Sequence, residues 1–353
     1  MRIAILSFHN GVVSRGAETM MNELSKRWGK KHQVRMFQVE SKYAEQKNYQ
    51  IKTIKIRIDW QRLEQGSWWR KFMVDYWAKL CVEFTIKCLR EIDKQGVDII
   101  IPVSGGWQSL FCRIYCLIKK VKLVIPGLAG LGWCDGWNLL MQPDVFVVST
   151  KRNADWARRY NKRVRLEIIP HGVDLKRFKL KGKKKKVNLK RPIVLCVAGP
   201  GKYKRVGVII KALFKLKEAS FLLVGGSDEL ERLGKKLLGN RFVRLKVKYD
   251  QLDKVYRTAD VFSMISESSE EFGIVNLEAL ASGLPMVVTD DELRREILGK
   301  YGIYVKDPIE IKDLVDKLKI GVKRSKIRPE KWLEKFDWDI IADKYLKLFE
   351  DLL

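Results

Sequence analysis

Histidine occurs only three times in this chain, at His9, His32 and His171, and no two of its six cysteines stand as C-x-x-C. Structural zinc needs clustered Cys and His ligands, so no metal site is expected. Cys81 and Cys88, and Cys112 and Cys116, recur at helical intervals. That spacing reads as buried thiols rather than a disulfide framework. Long apolar runs are also missing, and none could span a bilayer. The opening MRIAILSFHNG turns polar too soon for a signal peptide and reads as a first strand. A cytoplasmic protein is expected, at most peripheral on the inner face of a membrane. Acid is scarce relative to base: 42 Asp and Glu against 70 Lys and Arg, a formal net charge of +28. Such an excess draws an anionic partner. Lipid headgroups, nucleic acid and phosphorylated substrates all satisfy it, and charge does not choose among them.

What is present is enough for two α/β domains. The chain has 353 residues, 46% of them hydrophobic. Its most informative stretch is SMISESSEEFGIVNLEALASGLPMVVTD, residues 263–290. An apolar strand around residues 259–265 runs into a polar loop. From Gly273 the apolar positions Ile274, Leu277, Ala281 and Leu284 take helical spacing, Gly283 and Pro285 end the helix, and Met286-Val287-Val288 begins the next strand. This is a βαβ unit of a parallel sheet. Glu270 lies in the loop and Glu278 on the helix, with seven residues between them. A helix N-terminus suits a phosphate, and Gly273 lets the backbone approach one. Glu278, about one turn in, could accept hydrogen bonds from sugar hydroxyls. An early-helix Glu can also simply complement the dipole.

The same strand–loop–helix grammar recurs along the chain. Residues 1–8 read as a strand, NGVVSRGAE with Gly16 as a polar loop, and residues 19–28 as a helix. Residues 97–103 and 121–125 read as buried strands, each running into a Gly-rich loop: Ser104-Gly105-Gly106-Trp107, then residues 126–137 beginning at Pro126-Gly127. Ligands bind at the carboxyl ends of such strands, so both loops are candidates for holding an acceptor. Residues 68–90 read as one basic helix with the stripe Trp69, Met73, Tyr76, Trp77, Leu80 and Phe84, and Trp60, Arg62 and Trp68 lie upstream. Nine of the eleven Trp precede Asn161. A basic, Trp-rich amphipathic helix can lie in a membrane interface, although a core helix with solvated lysines gives the same spacing. KLKGKKKKVNLKR, residues 179–191, reads as an interdomain linker. Beyond it GPGKYKR, residues 199–205, leads from a strand into a helix.

These segments together resemble the family-4-type glycosyltransferases of the two-domain GT-B fold. Glu270 and Glu278 match the family's E-x7-E motif, followed by Ala279, Gly283 and Pro285. The resemblance implies that Glu278 holds the ribose of a sugar nucleotide and Glu270 contacts the transferred sugar. It gives the Phe272-Gly273-Ile274 backbone to sugar and diphosphate. Glu271 departs from the small residue usual there. IIPHGVDLKRF, residues 168–178 and including His171, matches the segment that leaves the first domain. Gly16-Ala17-Glu18 resembles the end of the family's first Gly-rich loop. In residues 199–205 Lys204 aligns with the family's diphosphate-binding lysine. The family arginine falls on Gly199, and Lys202 is the available substitute, without the bidentate fork of an arginine. The family histidine near the start of the second Gly-rich loop has no counterpart.

The resemblance implies two Rossmann-like domains facing each other across a cleft: residues 1–180 on the acceptor side and 190–337 binding the donor, with a terminal helix of about 338–353 packing back on the first. It implies a retaining, metal-independent hexosyltransferase with no cofactor beyond its nucleotide-sugar substrate. Glu270 and Lys204 would be catalytic. Gly16, Gly199, Lys202, Phe272, Gly273, Ile274 and Glu278 would help bind the donor, with Gly105, Gly106, Trp107, Gly127 and His171 on the acceptor side. The expected partners are a nucleotide-diphosphate sugar, a glycan or lipid-linked acceptor and an anionic membrane surface, not nucleic acid. A nucleotide-sugar epimerase on the same fold, and a non-enzymatic basic adaptor on membrane or nucleic acid, are the competing readings.

Overall fold

The computed structural model of the chain describes residues 1–13, 15–39, 48–65, 74–267 and 270–353, without the side chains of 63–65. The chain forms two compact units: Met1–His171 with Trp338–Leu353, and Gly172–Asp337.

The first unit is built on seven parallel strands: β1 (Arg2–Leu6), β2 (Gln33–Val39), β3 (Gln50–Ile54), β4 (Ile99–Pro102), β5 (Lys122–Pro126), β6 (Val145–Val148) and β7 (Leu166–Ile168). Their order is β3-β2-β1-β4-β5-β6-β7. The central strands are continuous apolar runs because helices cover both faces, as a parallel sheet requires. Ile3 registers with Val34 on one side and Ile99 on the other, all buried. The terminal helix Trp338–Glu350 packs on the helix Gly16–Trp28. There the buried Trp28 donates Nε1–H to the Ala342 carbonyl at 3.1 Å and meets the Tyr345 and Phe349 rings edge-on. Asp339 of the same helix pairs with Arg27 at 2.6 Å.

The second unit has six parallel strands: β8 (Ile193–Ala198), β9 (Ser220–Gly225), β10 (Phe242–Leu245), β11 (Val261–Met264), β12 (Met286–Thr289) and β13 (Gly302–Val305). Their order is β10-β9-β8-β11-β12-β13. In both sheets the chain fills one side of the first strand and then the other. The loops after β1 and β4, and after β8 and β11, therefore part at a switch point, where an open α/β sheet has its binding crevice.

Several details depart from the sequence reading. The unit boundary falls at His171/Gly172, ahead of residues 180–190. The intervening segment is strapped to the second unit: Val173 bridges Asp337, Phe178 is buried against Tyr256, and Arg257 donates to the carbonyls of Arg177 and Lys183. Lys185 also exchanges hydrogen bonds with Thr258. The lysine run is thus fastened by its backbone while its side chains stay in solvent. Strands β7 and β13 had no clear signal: β7 is three residues with no buried side chain, and β13 begins on glycine. The second Gly-rich loop gives way to a helix, Trp133–Leu140. Its Gly136 is required by packing, since a Cβ there would lie 2.5 Å from Cζ of Tyr160.

The aromatic stretch after residue 59 contains two described helices, Trp60–Gln65 and Tyr76–Asp93. Trp68, Trp69, Arg70, Lys71 and Met73 lie outside the described residues. The described part of the stripe turns inward. Trp77 stacks on His9 at 4.8 Å and meets Phe8 edge-on, and Leu80 and Phe84 belong to the core.

Candidate active site

The loop after β8 and the loop after β11 converge. Gly199 and Pro200 are exposed, and a Cβ on Gly199 would meet nothing within 4 Å. Lys202–Lys204 forms a single 3-10 turn, and Arg205, left-handed at φ 51°, starts the helix Val206–Lys215. The turn faces Lys202 to solvent and Lys204 inward. Arg205 is held by Asp307 at 2.8 Å, and the Glu267 amide donates to the Tyr203 carbonyl at 2.9 Å. The second bond ties the two loops together, and the first fastens Arg205 to the segment after β13. Lys204 Nζ makes an ion pair with Glu270 Oε1 and lies 4.9 Å from the centre of the Tyr203 ring.

Glu270 is the hub. Its Oε2 accepts from Ser266 Oγ and, at 2.9 Å, from Arg294 Nη2. Arg294 is fully buried and also pairs with Asp291. Burial works against a charge on Glu270, but Lys204 and Arg294, with the Ser266 hydroxyl, outweigh it and hold its pKa below the usual value. Glu270 is therefore ionised at neutral pH.

Gly273 caps the helix Ile274–Ala281 at φ 77°, a conformation an L-residue adopts only at a cost. A Cβ there would lie 2.7 Å from Asn276 Nδ2 and 3.3 Å from Glu270. Phe272, buried, anchors the turn edge-on to Phe336. Ile274 is buried as the first helical residue. Asn276 is buried, and among the described residues neither of its amide atoms has a hydrogen-bond partner. Glu278 has a different environment. It is buried, accepts from Tyr256 Oη at 2.8 Å and bonds Tyr249. Desolvation raises its pKa to about 7, although Tyr256 and the nearby Arg177 pull the other way. Arg177 lies 4.2 Å over the Tyr249 ring, with Nε 3.7 Å from Asp253 Oδ1 and, among the described residues, no hydrogen-bond partner for its buried Nε and Nη2.

The structure thus brings Lys204, Glu270 and Gly273 together, with Phe272, Ile274 and Glu278 on the same loop and helix. Arg294, Ser266, Asn276, Tyr256 and Arg177 went unread in the sequence. Only Arg294 had a trace, in the alternating charge of DDELRRE after β12.

In the first unit Gly105, Gly106, Trp107 and Gly127 also meet. Gly105 and Gly106 have positive φ and lead into the helix Trp107–Lys119. Trp137 Nε1 donates to the Gly106 carbonyl at 3.1 Å, and Ser109 Oγ donates to Asn138 at 2.7 Å. Asn138 in turn donates to Asp135, whose other oxygen accepts from the Ala129 amide at 2.9 Å. Burial lifts Asp135 to a pKa of about 7. Gly127 is needed because a Cβ would lie 2.9 Å from the Phe146 ring. Gly16 is exposed and is the first residue of its helix rather than part of the loop before it. His171 ends the unit, buried, with its pKa depressed to about 3 by desolvation. Its imidazole is neutral.

Residues 178–334 match the family model described as glycosyl transferases group 1. The match falls within the second unit, and Lys204, Glu270, Glu278 and Arg294 all lie inside it. The two parallel-sheet units have the GT-B fold. HepE of Anabaena, solved with UDP and glucose, covers 99% of this chain and 99% of its own at a TM-score of 0.77 and 17% identity. The sulfoquinovosyl transferase SQD2 of Arabidopsis thaliana is 28% identical over 198 residues, 51% of this chain and 38% of its own. A phosphatidyl-myo-inositol mannosyltransferase of Mycobacterium tuberculosis is 27% identical over 204 residues, 52% of this chain and 53% of its own. The match therefore spans about half or less of these relatives.

Proposed function

We propose that the chain is a retaining glycosyltransferase that moves a sugar from a nucleoside-diphosphate donor to a lipid-linked or membrane-proximal acceptor. The observation that carries this reading is the meeting of Lys204 and Glu270 at the β8/β11 switch point, beside a helix N-terminus opened by Gly273. The donor diphosphate would take Lys204 and, at the helix N-terminus, the backbone N–H groups. Exposed Lys202 would add a second cation where the family has arginine. As the bond between the sugar's anomeric carbon and the phosphate oxygen breaks, negative charge grows on the diphosphate, and these groups stabilise it. The acceptor oxygen bonds to the anomeric carbon from the leaving-group face, and its proton passes to the diphosphate. That route, and the retained configuration, are carried over from the resemblance.

The ion pair explains how one carboxylate can serve the sugar. When a diphosphate draws Lys204 away, Arg294 still holds Glu270 ionised, and an Oε1 released by lysine can accept from sugar hydroxyls. Glu278, steadied by Tyr256, would accept from the ribose. The lipid character of the acceptor is supported by the mannosyltransferase relative, whose name specifies phosphatidyl-myo-inositol, and by the net charge of +28. The acceptor would lie against the loops that Asp135 ties in the first unit.

A thermal-shift screen of nucleoside diphosphates and nucleotide sugars, followed by product analysis, tests the reading. One base and one sugar should stand out, and the product should be a glycoside. Release of a free epimerised sugar would favour the epimerase. Absence of any preference among nucleoside diphosphates would refute both enzymes and favour the basic adaptor.

A further inference from the structure

The helix Trp107–Lys119 is amphipathic in the inverted sense. Its buried side carries Gln108, Ser109, Cys112 and Cys116. Its opposite side carries Trp107, Leu110, Phe111, Ile114, Leu117 and Ile118, at intervals of three, four and seven residues. Ile114, Leu117 and Ile118 are 46%, 62% and 71% exposed. The next helix, Trp133–Leu140, is tied to its start through Trp137 and Gly106. It continues the feature, with Trp133 52% and Leu140 51% exposed. Single exposed apolar residues need no explanation, but a whole helix face does.

The surroundings identify the occupant. Residues 107–120 contain no acid; Arg113 and Lys119 pair with Asp144 and Asp93 of neighbouring elements, and Lys120 is exposed. The helix Lys151–Tyr160 packs beside Trp133–Leu140 through Tyr160 on Gly136, and Asn161 donates to the Leu139 carbonyl at 2.9 Å. It brings exposed Arg158, Arg159, Lys162 and Arg163 to the rim. An apolar strip bordered by cations fits an anionic bilayer, into which Leu, Ile and Trp enter while Lys and Arg stay at the headgroups. A second copy of a chain carrying +28 would instead bring cation against cation.

We propose that the outer face of Trp107–Lys119, with Trp133 and Leu140, is the surface by which this chain docks on anionic membranes. This deepens the proposed membrane-proximal acceptor and rests on that reading for its purpose, but not for its test. It puts the contact on a different helix from the Trp60–Lys87 stretch. The face begins at Gly106, beside the loops already assigned to the acceptor.

The full chain and a Leu117→Ser/Ile118→Ser variant would be sedimented with vesicles of phosphatidylcholine, with and without phosphatidylglycerol. Both positions are exposed, so the variant should keep its fold, which thermal melting checks. The unsubstituted chain should bind only vesicles containing phosphatidylglycerol and bind less as salt rises. The double variant should lose at least tenfold in affinity. Its thermal shift with the preferred nucleoside diphosphate should be unchanged. Equal vesicle binding by both proteins, or binding by neither, overturns the proposal. So does light scattering that shows a dimer dissociated by the substitutions, since a second copy would then cover the face. Loss of all nucleotide response with vesicle binding intact would instead overturn the proposed transferase and leave the docking surface standing.

Discussion

Glu270 and Glu278 are both buried, yet burial leaves them in opposite protonation regimes. Glu270 has two cations and a hydroxyl to offset desolvation, whereas Glu278 has mainly tyrosine hydroxyls. An unfolded glutamate titrates near 4.5. Glu278 therefore holds its proton more tightly in the folded chain, and its contribution to stability is full below that pH. The contribution is lost as pH rises towards about 7, a change of about 3 kcal/mol at 1.36 kcal/mol per unit. In Glu278→Gln, urea unfolding should show that decline removed, with the part due to Asp135 remaining. Calorimetry above pH 7, where Glu278 is mostly ionised, should show nucleoside-diphosphate affinity weakened by about 1.5–3 kcal/mol, through loss of a charge-assisted acceptor. Unchanged affinity would discard the ribose role. Glu270 has the reverse sign: its stabilisation is present above the unfolded pKa and lost as pH falls through its depressed value. Lys204→Ala should lower kcat by about 100-fold and donor affinity much less, because only interactions that strengthen as the sugar departs raise the rate. Normal turnover at saturating donor would exclude that role.

At the scale of the element, the turn from β11 into the helix Ile274–Ala281 depends on one backbone conformation. Gly273→Ala adds a Cβ at φ 77° and pushes it towards Asn276 Nδ2. The left-handed penalty is about 1–2 kcal/mol, before the contact is relieved. Stability should fall by at least that much, and nucleotide affinity should fall with it as the helix N-terminus shifts. Full nucleotide affinity in the alanine variant would show that no ligand approaches this turn. Arg294→Gln should cost more, about 3–5 kcal/mol in chemical unfolding, because it removes one partner of a buried ion pair. A loss below 1 kcal/mol would mean that Lys204 alone can hold Glu270.

At the scale of the molecule, the last helix completes the unit that the first residues begin. Trp28 is fully buried under Ala342, Tyr345 and Phe349. Trp28→Ala should cost about 3–5 kcal/mol. Hydrogen exchange should locate the loosening at Gly16–Trp28 and Trp338–Glu350, with the core strands of the second unit unaffected. Uniform loosening of both units would show that they unfold as one.

The α/β class and most strands were legible because each strand is a short, continuous apolar run bounded by polar or glycine-rich turns. The run Ile193–Ala198 and the run Val261–Met264 needed no partner to be seen. The sequence by itself also determined that Glu270 and Glu278 share one loop–helix unit, because their spacing is local. It could not disclose what those carboxylates touch. Arg294, Tyr256 and Arg177 come from distant segments, and only the sheet order carries them to the site. Nor could it tell which side of an amphipathic helix faces the core. The hydrophobic face of Tyr76–Asp93 turns inward, with Leu80 and Phe84 in the core, while that of Trp107–Lys119 turns to solvent. Periodicity fixes only how apolar residues are grouped around a helix axis. The packing of neighbouring helices and strands decides where that group points.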